Sequence, residues 1–187
     1  MLAALVLLAF FFRIWQLAEV PSGLLWDEGA TGIDVVPLFH GQFPIFFAAH
    51  SGHEPLLFYA QAGALWLFGW SAFSLRLPAV FFTTLAVAGS FALGRKLFGR
   101  QVAMVAAFLM AVTLWYVEIG RLGRTNTALP PMLVLTVLWL AAWLRNERPW
   151  RAAVLCGLFF GLLLYTYSPG RFMVFVIALM WLWTFVR

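Results

Sequence analysis

The chain has 187 residues, is 64% hydrophobic and only 10% charged, and carries a net charge of +5. A soluble domain has roughly 25% charged residues, so the composition excludes one and points to an integral membrane protein. The basic excess does not call for a nucleic-acid partner, because the arginines and lysines stand singly or in small clusters at the ends of apolar runs, where membrane topology accounts for them.

Met1 to Trp15 reads as a retained first span, since no basic segment precedes it and no small-residue cleavage site follows it. Arg13, near its end, is expected to snorkel its guanidinium to the interface. From Leu17 onward the chain turns polar and is punctuated by Pro21, Gly23, Gly29, Gly32, Pro37, Gly41, Pro44 and Gly52, which break any long helix. Of the seven acidic residues, Glu19, Asp27, Glu28, Asp34 and Glu54 fall in this stretch, as do all three histidines, His40, His50 and His53. Titratable chemistry is concentrated there.

Within this loop the pattern predicts a helix over Glu28 to Phe39, with Ile33, Val36 and Phe39 on an apolar face suited to the membrane interface. Asp27, Thr31 and Asp34 fall together on a 3.6-residue period, which makes the other face acidic. Pro55 to Trp70 is apolar but short for a span of about 20 residues, and is expected to lie at the interface.

Longer apolar runs follow at Leu77 to Gly94, Val102 to Ile119, Ala128 to Leu144, Ala152 to Tyr167 and Phe172 to Val186. The densest basic clusters are Arg95, Lys96 and Arg100, and Arg145, Arg148 and Arg151. The positive-inside rule puts both in the cytoplasm, giving six spans with the amino terminus inside. The fold class is therefore an all-α integral membrane protein, a multi-span helical module over residues 1–187, with a long first outer loop (17–76) carrying short interfacial helices. The stop at Arg187, directly after an apolar run, suits the front portion of a longer protein.

Asp27 and Glu28 are adjacent carboxylates able to supply a general base for an acceptor hydroxyl, or to share a divalent metal or a proton. Equally, Asp27 caps a helix and Glu28 stabilises its first turn. His53 and Glu54 offer a metal ligand or, for His53, a phosphate contact. The plainer reading is that Glu54 caps the helix that starts at Pro55. Arg121 and Arg124, one turn apart, and Arg171 after Ser168-Pro169-Gly170 suit a phosphate clamp; the alternative is contact with lipid headgroups. Asn126 completes the outward polar set. The lone cysteine, Cys156, makes neither an intramolecular disulfide nor a thiolate metal cluster.

Four pieces, taken in order, resemble the GT-C glycosyltransferases that use polyprenyl-phosphate sugars, in particular the bacterial relatives of protein O-mannosyltransferases and of the lipid A aminoarabinose transferase. They are Asp27-Glu28 after the first span, His53-Glu54-Pro55-Leu56, Arg76-Leu77-Pro78 with Gly94-Arg95-Lys96-Leu97-Phe98-Gly99-Arg100, and Gly120-Arg121-Leu122-Gly123-Arg124. The resemblance implies an inverting transfer of a sugar from a polyprenyl-phosphate donor to a lipid, glycan or protein acceptor at the outer face of the cell membrane. It implies Asp27 as the base, with Glu28 beside it, and His53, Arg121, Arg124 and Arg171 as the groups that stabilise the leaving phosphate; Glu54 and Asn126 stand beside them as further substrate-binding candidates. Two positions depart from the pattern. Glu54 stands where members often have the first of two prolines. Asn126 stands where many have a second aspartate, and an amide cannot act as a base. Two other readings are a lipid-linked sugar translocator and an inactive truncated module.

Overall fold

Helix α5, Ala72–Phe98, is the longest element, with 27 residues. At 1.5 Å per residue it is about 40 Å long, enough to cross a hydrocarbon core of about 30 Å. The computed structural model describes residues 2–49 and 52–186, without the side chains of residues 180, 181 and 184–186; His50 lies outside the described residues. Around α5 are α1 (Leu2–Ile14), α2 (Trp26–Asp34), α3 (Val36–Phe39), α4 (Leu56–Phe68), α6 (Arg100–Val112), α7 (Leu114–Arg121), α8 (Leu129–Leu144), α9 (Pro149–Leu164) and α10 (Met173–Val186). Short 3₁₀ turns at Thr125–Ala128 and Ser168–Phe172 lead into α8 and α10. Among the described residues the fold is all helical apart from one isolated bridge between Phe47 and His53.

Two helical stretches, Ala72–Phe98 and Thr125–Leu144, are long and apolar enough to cross a membrane; α1, α6 and α9 are apolar but shorter. Within a membrane, helices associate through close packing and polar contacts more than through a hydrophobic driving force. Small residues supply that packing here. Ala103, Ala107 and Ala111 lie one turn apart on α6 and are fully buried against Ala9 of α1 and Val87 and Phe91 of α5. A second core of Val35, Leu38, Phe47, Phe58, Leu65 and Leu75 fastens the junction of α2 and α3, α3 itself and α4 to the start of α5.

The two ends of α5 differ in chemistry. Its start carries Arg76, which binds carbonyl oxygens of Leu17 and Pro21 at 3.0 Å, just beyond α1. The end of α1 and the start of α5 therefore share one end of the bundle, and the residue 17–76 segment begins and finishes there. At the other end Lys96 pairs with Glu147, and Arg145 Nη1 donates to the Lys96 carbonyl at 3.1 Å. Both basic clusters thus meet at the end remote from Arg76.

Three expectations change. The single helix over Glu28 to Phe39 is two, parted at Val35, because Pro37 has no N–H with which to continue the ladder. The run Val102 to Ile119 is broken at Thr113, which takes an extended conformation (φ −62°, ψ 119°). Arg13 is the third change, and it sits beside this break. Its guanidinium is fully buried instead of snorkelling, and donates to the carbonyls of Ala9 (2.8 Å), Ala111 (3.2 Å) and Met110 (3.0 Å). It also lies over the Tyr116 ring, 5.2 Å from its centroid. The last carbonyls of α6, which have no helical partner beyond a terminus, are thereby satisfied inside the bundle. Gly120 has no side chain because a Cβ there would come within 2.8 Å of Arg13 Nε.

Candidate active site

The site is built on the first turn of α2. Leu25 is the residue before the helix, and Asp27 and Glu28 are its second and third residues. Asp27 does not cap the helix. Glu28 does, its Oε2 accepting from Leu25 N–H at 3.1 Å. The same carboxylate receives Arg76 Nε at 2.8 Å and Gly123 N–H at 2.9 Å on Oε1, and Arg76 Nη2 at 2.9 Å on Oε2. Both side chains of this pair are fully buried. Burial alone would push the Glu28 carboxyl up, but the hydrogen bonds from Arg76, Gly123 and Leu25 and the arginine's charge outweigh it and hold the carboxyl below its ordinary value.

Arg76 uses its whole fork, since Nη1 reaches the Leu17 and Pro21 carbonyls and Nη2 reaches the Gly23 carbonyl as well as Glu28. One guanidinium therefore gathers the end of α1, the start of the loop and α2. Gly123 is a glycine because its backbone approaches so closely. A Cβ there would lie 2.9 Å from the Leu75 carbonyl oxygen and 3.0 Å from Gln61 Nε2.

The Glu28 to Gly123 bond sets the residue before Glu28 beside the residue after Gly123. Asp27 faces Arg124, whose Nε donates to Oδ2 at 2.9 Å and whose Nη2 donates to the same oxygen. Unlike the pair beneath them, both side chains are about half exposed. They open onto a cavity of about 600 Å³ lined by Trp26, Asp27, Ala30, Thr31, Asp34, His53, Arg124, Thr125, Asn126 and Tyr167. Asp27, Thr31 and Asp34 share it because they occupy one face of α2, as their spacing indicates. His53 is placed by its backbone, which exchanges two hydrogen bonds with Phe47 at 3.0 and 2.8 Å.

Of the residues singled out by sequence, Asp27, Thr31, Asp34, His53, Arg124 and Asn126 line this cavity. Glu28, Glu54, Arg121 and Arg171 lie outside its lining. Glu28 is locked beneath Asp27. Glu54 is buried next to His53 and pairs with Arg171 at 2.9 Å; together with a bond from Leu56 N–H to the Tyr165 carbonyl, this ties the loop to the connector after α9. Arg121 donates to the carbonyls of Phe12, Arg13, Gln16 and Val20 and so closes off the end of α1. Among the described residues no three His, Cys, Asp or Glu side chains gather to hold a metal.

Sequence reasoning did not assign roles to Arg76, Trp26, Thr125 or Tyr167. For Arg76 a signal existed: an arginine entering an apolar run demands a buried partner, and the carboxylate supply in this chain is small.

An apolar helical bundle with a charged, polar cavity at one end is the architecture expected of a helical membrane protein with a polar site. The family model for dolichyl-phosphate-mannose-protein mannosyltransferase matches residues 52–187, most of the chain. The chain belongs to that family, within the GT-C glycosyltransferases, and is a membrane glycosyltransferase. The matched segment includes His53, Arg124 and Asn126, whereas Asp27 and Glu28 precede it. No curated protein matches the chain.

Proposed function

We propose that the protein transfers a sugar from a polyprenyl-phosphate donor to an acceptor hydroxyl in the cavity of α2, with Asp27 as general base. The observation that carries this reading is the convergence of a half-exposed carboxylate, Asp27, with Arg124 and His53 in one cavity. The acceptor oxygen attacks the anomeric carbon as its proton passes to Asp27. The bond from that carbon to the phosphate oxygen breaks, and the carrier leaves as a polyprenyl phosphate with an added negative charge. Arg124 and His53 are the cavity groups that can meet that charge, a kind of stabilisation worth about 3–4 kcal/mol per well-placed donor in a dry site.

Glu28, Glu54, Arg121 and Arg171 act in this reading as positioning residues that hold the cavity walls. The exposed apolar side chains of Ile33, Phe43, Ile45, Trp66 and Trp70 suit the membrane interface beside the polyprenyl chain. The decisive experiment incubates the purified full-length protein with a panel of polyprenyl-phosphate sugars and follows released carrier and glycosylated product by mass. Product formation supports the reading. Intact donor appearing on the opposite leaflet of a vesicle, with no product, supports a translocator instead.

The cavity end faces outward in this proposal, because six basic residues and one carboxylate, Glu147, occupy the far end of the bundle. With Cys156 replaced, a cysteine at Ala72 is expected to react with an impermeant thiol reagent from outside and a cysteine at Gly99 only from inside. The reverse pattern would invert the orientation.

A further inference from the structure

Two carboxylate–guanidinium pairs sit one above the other at this site, and they are built differently. Glu28 accepts four hydrogen bonds and is fully buried with Arg76, whose fork is fully engaged. That pair has no freedom to rearrange without taking α2 with it. Asp27 and Arg124 lie in the cavity wall, about half exposed, and among the described residues the partner of the Arg124 guanidinium is Oδ2 of Asp27. Exposed pairs of this kind are weak and screened by solvent.

The chemistry asks two things of these residues at once. Oxygens of Asp27 must be open to an acceptor's proton, and Arg124 must meet a phosphate. Oδ2 of Asp27 accepts two N–H bonds, and Nε and Nη2 of Arg124 are turned to it, so each group is engaged with the other through those atoms. A phosphate offers the same planar fork two oxygens in a bidentate arrangement, and arginine pairs with it at least as well as with a carboxylate.

Resting on the assignment of Asp27 as base and Arg124 to the phosphate, we propose that the donor phosphate draws Arg124 off Asp27, so that Oδ2 of the base is released when donor is bound. The carboxylate and the phosphate compete for one guanidinium. Donor then binds before the acceptor is activated, and an acceptor entering an empty cavity meets a base still held in its ion pair.

The competition is tested with a sugar-free polyprenyl phosphate as probe, its affinity for the full chain measured in nanodiscs. Asp27→Asn removes the competitor and is expected to tighten binding by about 3- to 10-fold. Arg124→Ala is expected to weaken it at least 10-fold. In the Arg124→Ala background, adding Asp27→Asn is expected to change nothing, which is the signature of coupling in a double-mutant cycle. Unchanged or weaker binding by Asp27→Asn overturns the exchange. Equal tightening with and without Arg124 also overturns it, since that is simple relief of charge repulsion. Unaltered binding by Arg124→Ala removes Arg124 from the phosphate site, and with it the assignment on which the exchange rests.

Discussion

Asp27→Asn in the purified protein is expected to abolish sugar transfer while the fold and carrier binding persist. An amide has no lone pair basic enough to take the acceptor's proton, and loss of a general base typically lowers the rate by about 10²–10⁴-fold. Asp27 is about half exposed and pairs with a half-exposed arginine, an interaction worth roughly 0.2–1 kcal/mol. Glu28, not Asp27, receives the Leu25 N–H at the start of α2. The measurement is turnover, read as released polyprenyl phosphate by mass, beside a thermal denaturation of the same preparation. Wild-type turnover in the variant would remove Asp27 as the base. Lost turnover with an equally lowered melting temperature would mark Asp27 as structural.

Arg76→Ala or Glu28→Ala is expected to do the opposite, removing the fold and the activity with it. Each leaves one uncompensated charge fully buried, a change that costs about 3–5 kcal/mol in proteins whose total stability is about 5–15 kcal/mol. Replacing both together, Glu28→Leu with Arg76→Met, removes the stranded charge and is expected to cost less than either single change. Yield of monodisperse protein and melting temperature in detergent report the result; single variants as stable as wild type would contradict this account.

The pair also has a pH signature. Because the folded Glu28 carboxyl is held below its ordinary value, its contribution to stability is fully present above the unfolded carboxylate pKa of about 4.3. It is lost as pH falls through the lower folded value. Melting temperature should therefore drop on acidification in that window, and Glu28→Gln should flatten the drop.

Membrane character, the concentration of acids in the first loop and the acidic face of α2 were all legible from residue order. Asp27, Thr31 and Asp34 share a cavity because a 3.6-residue period is a local property, set by the backbone and independent of what packs against it. The resemblance carried by scattered short motifs placed the chain in the family that residues 52–187 match.

Adjacent residues with similar chemistry were not separable in this way. Asp27 and Glu28 read alike in the sequence, yet one opens to a cavity and the other is sealed by Arg76, 48 residues later, and Gly123, 95 residues later. Arg121 and Arg124 also read as a matched clamp one turn apart. The end of α7 and the extended Arg124 send them to different partners, backbone carbonyls at the end of α1 and the Asp27 carboxylate. Likewise the carbonyls at the end of α6, before the break at Thr113, are met by Arg13, which reaches the Ala111 carbonyl from 98 residues away.

The residue order by itself determined that this is an apolar helical chain with its chemistry gathered before the second long helix, because hydropathy and helical period act over a few residues. Only the tertiary structure decided which acid is available and which cation faces it. A buried polar group must find a partner, and the choice among distant partners is made by how the helices pack.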